Sequence, residues 1–240
     1  MPVKLHQETN GTEVWSHVDL PDAASIRLNL GCGPVQPAGW INIDGSHRAR
    51  FAHYLPWVDR TLVLMGLLPP TAYGPRTQIH NLRRRLDYPS NCVTAIYAGE
   101  LWEHFEYHDA VALTRECYRV LRPAGVLRLC VPDGVVFWRR YLELFEEVMA
   151  QPRALRSGAR LREHVGLYFN DICTRPPGLR SMGHKHKWQF DEIQLIEIME
   201  QAGFAQVSRM PFHNSRIPDI ASVERSPFLI VEGVKPAHKR

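Results

Sequence analysis

The sequence predicts an α/β fold, a sheet with helices on both of its faces. Three observations carry that reading. Short apolar runs of strand character alternate with segments of helical periodicity, the first run ends on a glycine-rich turn, and two further strands close the chain after its last helix. A chain of 240 residues is expected to form one decorated domain, or two at most.

The elements follow in order. Residues 1–24 are polar and read as an irregular N-terminal arm, with a single domain over 25–240. Ile26, Leu28 and Leu30 alternate up to Gly31-Cys32-Gly33-Pro34, a strand entering a tight loop. Trp40 to Asp44 is a second short strand, entered through Pro37 and Gly39. Residues 45–79, rich in aromatics and proline, read as an inserted cover segment with a helix from Phe51 to Leu68 and then a loop. Cys92 to Tyr97 is the next strand. The helix after it, from about Asp109 to Leu121, carries Ala110, Leu113, Cys117 and Val120 on one face and stops at Arg122-Pro123-Ala124-Gly125. Val126 to Val131 is a strand closed by Pro132-Asp133. Val136 to Ala150 is helical, with Phe137, Tyr141, Leu144, Phe145 and Val148 expected inside. Residues 151–187 are a second cover segment of weak pattern, where loops tend to carry function. Asp191 and Gln194 resemble a capping box that opens a helix over Ile193, Ile196 and Met199, ending at Gly203. Ala205 to Met210 and Pro227 to Val231 are the last strands.

Composition excludes several classes. Apolar residues make up 45% and charged residues 22%, which rules out a disordered, collagen-like or coiled-coil protein. The net charge of +4 is well short of a dedicated nucleic-acid binder. Five scattered cysteines without a CxxC pair suit a reducing compartment, and no apolar run near Met1 reads as a signal peptide. No stretch reaches the ~20 apolar residues of a membrane helix. A cytoplasmic protein without a membrane span is expected.

Gly31 and Gly33 stand at a strand end, where absent Cβ atoms allow a sharp turn and close approach of a ligand. A dinucleotide site wants a third glycine three residues on; Gln36 occupies that place, between Pro34 and Pro37. Too few residues separate Gly33 from Trp40 for a three-turn helix, and Asp44 comes earlier than the acid of a dinucleotide fingerprint. Those spacings favour a cofactor without pyrophosphate, held by loop backbone at one end and by Asp44 on a diol at the other. The bland alternative for Asp44 is a solvated strand-end carboxylate.

Taken together, Ile26 to Pro34 and Gly39 to Asp44 resemble the class I S-adenosylmethionine-dependent methyltransferases, in a bacterial branch whose first helix is replaced by a short loop. Asn81-Leu82 with Leu86 to Asn91, Ala95 to His104, Glu116 to Asp133, His186 to Asp191, Ala202 to Phe204 and Ser215 to Asp219 are similar to later segments of that branch, in the same order. The resemblance implies a Rossmann-like seven-stranded sheet with its last strand antiparallel, and S-adenosyl-L-methionine as cofactor. It places Asn29, Gly31, Cys32, Gly33, Asp44, Asn81, Leu82, Ala98 and Gly99 at the cofactor. Asn81 stands where the family more often has Asp, Trp102 where it has Leu and Ala124 where it has Gly; none removes a cofactor contact outright.

If the acceptor is a hydroxyl, a base must take its proton, and histidine suits neutral pH. His104 and His186 are the candidates. For His104 the alternative is a helix-start histidine that only packs; for His186 it is an acceptor-binding or structural role. His184-Lys185-His186 shows no third ligand at diagnostic spacing, so no metal is expected. Trp188 reads as a packing residue. Arg83-Arg84-Arg85 reads as a solvated face, whereas Arg153, Arg156, Arg160 and Arg162 suggest an acidic acceptor. The Asn-Pro-Pro-aromatic tetrad of base-amino methyltransferases is absent, and Thr174 to Gly178 does not supply it. The expected activity is O-methylation of a small molecule or glycan, with nucleic acid disfavoured and a homodimer left open. The rival readings are a cofactor-binding partner subunit without turnover and an RNA methyltransferase.

Overall fold

In the computed structural model, the structure describes residues 4–9, 12–17, 25–68, 73, 77–167 and 185–237. The expected sheet is there. It has seven strands: β3 (Arg27–Leu30), β4 (Ile41–Asp44), β5 (Thr77–Ile79), β6 (Val93–Gly99), β7 (Leu121–Val131), β8 (Ala205–Arg209) and β9 (Leu229–Val234). Their spatial order is β5-β4-β3-β6-β7-β9-β8. The central pairs are parallel, and only β9 runs against its neighbours β7 and β8. The chain order reverses between β3 and β6, so their carboxyl ends open a crevice at Gly31 and Gly99, the place where such sheets bind ligands.

The short crossover does join two parallel strands. Leu28 pairs with Ile41 and Leu30 with Ile43. Side chains brace its loop: the buried Asn29 amide donates to Val35 O at 3.0 Å and to Asn42 Oδ1 at 2.9 Å, and Gln36 donates to Thr77 Oγ1 at 2.7 Å. These bonds replace the helix that usually fills a crossover of this kind.

Around the sheet are α1 (His47–Tyr54), α2 (Pro56–Leu64), α3 (Tyr107–Val120), α4 (Gly134–Met149), α5 (Ala159–Leu167) and α6 (Glu192–Gln201). One core joins the strands to α3 and α6 through Leu113, Cys117, Val120, Leu195, Ile198 and Met199. On the other side Trp40, Tyr97, Val126, Cys130 and Ile230 pack with Ile217, Ile220 and Val223 of the β8–β9 connection. That connection is pinned by a buried ion cluster. Arg128 on β7, with no exposed side-chain surface, donates to Glu224 at 2.7 and 3.0 Å and to Glu232 at 3.1 Å. Such a group is tolerated inside because each charge is paired and hydrogen-bonded.

Several local expectations are corrected. The lead-in is not irregular throughout: β1 (Lys4–Thr9) and β2 (Thr12–His17) pair antiparallel, Lys4 opposite His17 and Thr9 opposite Thr12. The helix expected from Phe51 to Leu68 is two helices broken at Leu55, whose φ of −130° and ψ of 55° lie outside the helical region that a following proline, here Pro56, disfavours. Thr77–Ile79, read as loop, is an edge strand. The helix ends at Val120 and the strand already begins at Leu121. Phe145 on α4 is 45% exposed, while its neighbour Leu144 is buried, because adjacent helix positions point about 100° apart. Among the described residues Cys32, Cys92, Cys117 and Cys130 are free, and no helix is long and apolar enough to cross a membrane.

Candidate functional site

At the crevice lies a cleft of about 630 Å³, lined by Gly31, Gly33, Asp44, Asn81, Leu82, Gly99, His104, His186 and Arg225 among others. The segments after β3, β4, β5 and β6 meet there with residues 185–187 and with Arg225 of the β8–β9 connection.

The first wall is the loop after β3. Gly31 and Gly33 have φ of 63° and 51°, a conformation that side chains disfavour, and a Cβ on Gly31 would stand 2.9 Å from Leu101 Cδ1. Bare backbone therefore faces the cleft. The loop is held by Asp44 at the end of β4: its Oδ2 accepts from Gly33 N–H at 3.0 Å and its Oδ1 from Ser46 N–H at 2.8 Å. Asp44 is only 5% exposed. A carboxylate oxygen takes more than one hydrogen bond, so the group can brace the loop and still accept from a ligand hydroxyl. This is no solvated strand-end acid.

The second wall is the turn after β5. Ser46 caps α1 through Ala49 N–H at 3.1 Å, and Gly45 is pressed against the backbone of His80 and Asn81. A Cβ at Gly45 would meet His80 O at 2.1 Å, so only glycine lets the Asn81-Leu82 turn approach this closely. Asn81 Oδ1 accepts from Arg83 N–H at 3.1 Å, and Leu82 is buried at the rim. Arg83 itself pairs with Asp109 at 3.0 Å and stacks over Phe105 at 4.9 Å.

The third region follows β6. Trp102–His104 form a single helical turn that aims His104 at the cleft. His104 Nδ1 lies 3.0 Å from Lys185 O, and its ring meets that of His186 edge-on, centroids 4.8 Å apart. The two histidines, far apart in sequence, are thus one cluster. Glu103 completes it. Its carboxylate is 2% exposed, has no hydrogen-bond partner among the described residues, and lies 3.9 Å from His186 Nε2. Burial, with a smaller push from the charge of Glu100, raises its carboxyl to about 8. The backbone of Glu103 fastens the segments together, its carbonyl accepting from Lys187 N–H at 2.7 Å and Trp188 N–H at 3.2 Å. Trp188 packs on Tyr107 with centroids 5.1 Å apart and donates to Gln194 at 2.8 Å.

Glu103, His104 and His186 bring three ligand-type atoms within 4.8 Å of one another. Two nitrogen or oxygen ligands on one tetrahedral zinc ion stand about 3.4 Å apart, so binding zinc there requires the side chains to close further. The partners for His186 come from the turn after β6 rather than from its own segment, which is why spacing along the chain did not show them. His184 lies outside the described residues, as does Thr174 to Gly178.

Three residues named from the sequence stand behind the cleft wall instead of lining it. Asn29 is spent on the crossover loop, Cys32 is fully buried with its N–H donated to Ile43 O at 3.1 Å, and Ala98 is 1% exposed on β6. Two arginines of the basic group expected for an acidic acceptor are engaged elsewhere: Arg156 donates to Gln151 O and Met149 O, and Arg160 pairs with Glu147 at 2.6 Å. Glu103 and Arg225 are among the cleft residues that had no role assigned from the sequence. Glu103 stood beside a named histidine, but acids are mostly exposed and nothing local marks this one as buried. Arg225 has no surrounding pattern at all.

Known proteins resemble the chain in part. A family model described as "Methyltransferase domain" matches residues 69–129, about a quarter of the chain. No curated protein matches the sequence. Among solved structures, the S-adenosylmethionine-dependent methyltransferase SibL in its apo form aligns at 14% identity and TM-score 0.46, over 91% of this chain and 53% of that one. The chain thus spans about half the length of SibL. A complex of the Haloferax volcanii Trm112 methyltransferase activator with a putative methyltransferase aligns at 13% identity and TM-score 0.46, over 90% and 84%. A SAM-dependent methyltransferase from Archaeoglobus fulgidus aligns at 11% identity and TM-score 0.47, over 89% and 87%. Likeness at this level says nothing of the substrate.

Proposed function

We propose that this chain is an S-adenosylmethionine-dependent methyltransferase that O-methylates a small molecule or glycan. The observation that carries the reading is the pairing of a bare glycine loop with a nearly buried carboxylate, Asp44, at a topological switch point. A nucleoside without pyrophosphate fits that cradle: backbone approaches one end and a carboxylate oxygen reaches the ribose diol at the other. Asn81 and Leu82, which line the cleft beside that cradle, would stand toward the base, and the Gly99 turn toward the reacting end.

The sulfonium of the cofactor supplies an already activated methyl group. The protein's part is to align the acceptor and manage its proton. Holding an acceptor oxygen about 3–3.5 Å from the methyl carbon, in line, removes much of the barrier. His104 and His186 line the same cleft, and a ring nitrogen of one takes the hydroxyl proton as the bond forms. Glu103 lies behind them, 3.9 Å from His186.

The test is formation of S-adenosylhomocysteine from S-adenosylmethionine across a panel of hydroxylated small molecules and oligosaccharides, with Asp44→Ala as control. Acceptor-dependent product in the wild type, at least about tenfold reduced in the variant, supports the reading. Cofactor binding with no turnover on any acceptor favours a partner subunit instead.

A further inference from the structure

Arg225 sits in the β8–β9 connection between two fixed neighbours. Glu224 before it is buried, holds Arg128 at 2.7 Å and accepts from His213 N–H at 2.6 Å. Ser226 after it donates to Glu100 Oε1 at 2.6 Å, tying the connection to the turn after β6. The side chain between these anchors points into the cleft. Its Nη2 is 3.5 Å from both Gly31 O and Gly99 O, so it bridges the two strand ends that open the crevice. Its Nη1 comes within 3.2 Å of where a Gly33 Cβ would stand, on the same glycine whose N–H is held by Asp44.

A guanidinium has five N–H donors in a planar fork. Here Nη2 makes two long contacts, and the buried Nε has no partner among the described residues. Among those residues no carboxylate pairs with Arg225, although Asp44, Glu100 and Glu103 all line the same cleft. An anchored cation with unused donors at the mouth of a bare glycine loop matches a carboxylate, which it grips through two parallel hydrogen bonds.

We infer that Arg225 binds the carboxylate of the amino-acid end of the cofactor and thereby selects a nucleoside carrying that tail over one without it. The inference rests on the methyltransferase reading. With Asp44 and Arg225 flanking Gly33, the loop is read from both sides, diol on one and carboxylate on the other.

Calorimetric titration of the full chain with two ligands tests it: S-adenosylhomocysteine, and methylthioadenosine, which keeps the nucleoside but lacks the amino acid. Arg225→Ala is expected to weaken S-adenosylhomocysteine about tenfold or more while leaving methylthioadenosine within about twofold. Arg225→Lys is expected to recover part of the loss, and melting curves of both variants to stay at wild-type temperature. Equal weakening of both ligands, or of neither, overturns the assignment and leaves the methyltransferase reading standing. The second of these outcomes is also the one expected if Arg225 instead serves a carboxylate on the acceptor. A wild type that binds neither ligand overturns both.

Discussion

Replacing Asp44 separates a bracing carboxylate from a decorative one. Its two oxygens accept from Gly33 N–H at 3.0 Å and Ser46 N–H at 2.8 Å while the residue is only 5% exposed. Hydrogen bonds to a charged group contribute about 1.5–3 kcal/mol each, so removing both in Asp44→Ala gives a gross loss of about 3–6 kcal/mol before relaxation and water return part of it. A net loss of roughly 2–4 kcal/mol corresponds to a melting point lower by about 5–15 °C for a chain of this size. Asp44→Asn keeps one acceptor oxygen but turns an N–H₂ toward a backbone N–H, so about half of that loss is expected. Affinity for S-adenosylhomocysteine is expected to fall at least about tenfold in the asparagine variant, about 1.4 kcal/mol, because the ribose loses a charged acceptor. Thermal melts and calorimetry read the two effects on the same sample. An Asp44→Asn protein with wild-type melting and wild-type affinity would refute the bracing argument and the ribose assignment together.

Two further outcomes follow from the histidine cluster. His104→Ala and His186→Ala are expected to reduce turnover while leaving cofactor affinity within about twofold; normal turnover in both removes the base assignment. Glu103, raised by burial to about 8 against its ordinary 4.5, binds a proton in the folded state that the unfolded chain has released over that interval. Stability therefore declines as pH rises from about 4.5 to 8, by up to about 1.4 kcal/mol per pH unit, and levels off above 8. Glu103→Gln is expected to flatten that slope, seen in denaturant midpoints measured across the same interval; an unchanged slope places the titrating group elsewhere.

The sequence disclosed what is local. Apolar alternation marked β3, and short apolar runs bounded by turn residues marked β4, β6 and β7, whose side chains enter the core directly. Gly31, Gly33 and Asp44 could be named because a glycine turn and a strand-end acid lie within one crossover. Thr77–Ile79 escaped because a three-residue edge strand has too few side chains to show a period, and the helix break at Pro56 was overridden by the apolar run around it. The pair β1 and β2 escaped although Asn10-Gly11 between them is a hairpin signal, since polar strands carry little core pattern. Asn29 and Cys32 lie in the segment of the glycine loop with their side chains buried behind the cleft, because backbone neighbours of a loop point their side chains to alternate faces. The cluster of Glu103, His104 and His186, and the aim of Arg225, exist only once distant segments are brought together, and no spacing along the chain encodes them.

The central claim is that the cleft between β3 and β6 grips an adenosine carrying an amino acid, and the most direct measurement is a crystal structure of the chain soaked with S-adenosylhomocysteine. The account predicts ribose hydroxyls on Asp44 and the nucleoside lying along Gly31 to Gly33. Density elsewhere on the molecule, or an Asp44 carboxylate turned from the ligand, would contradict it.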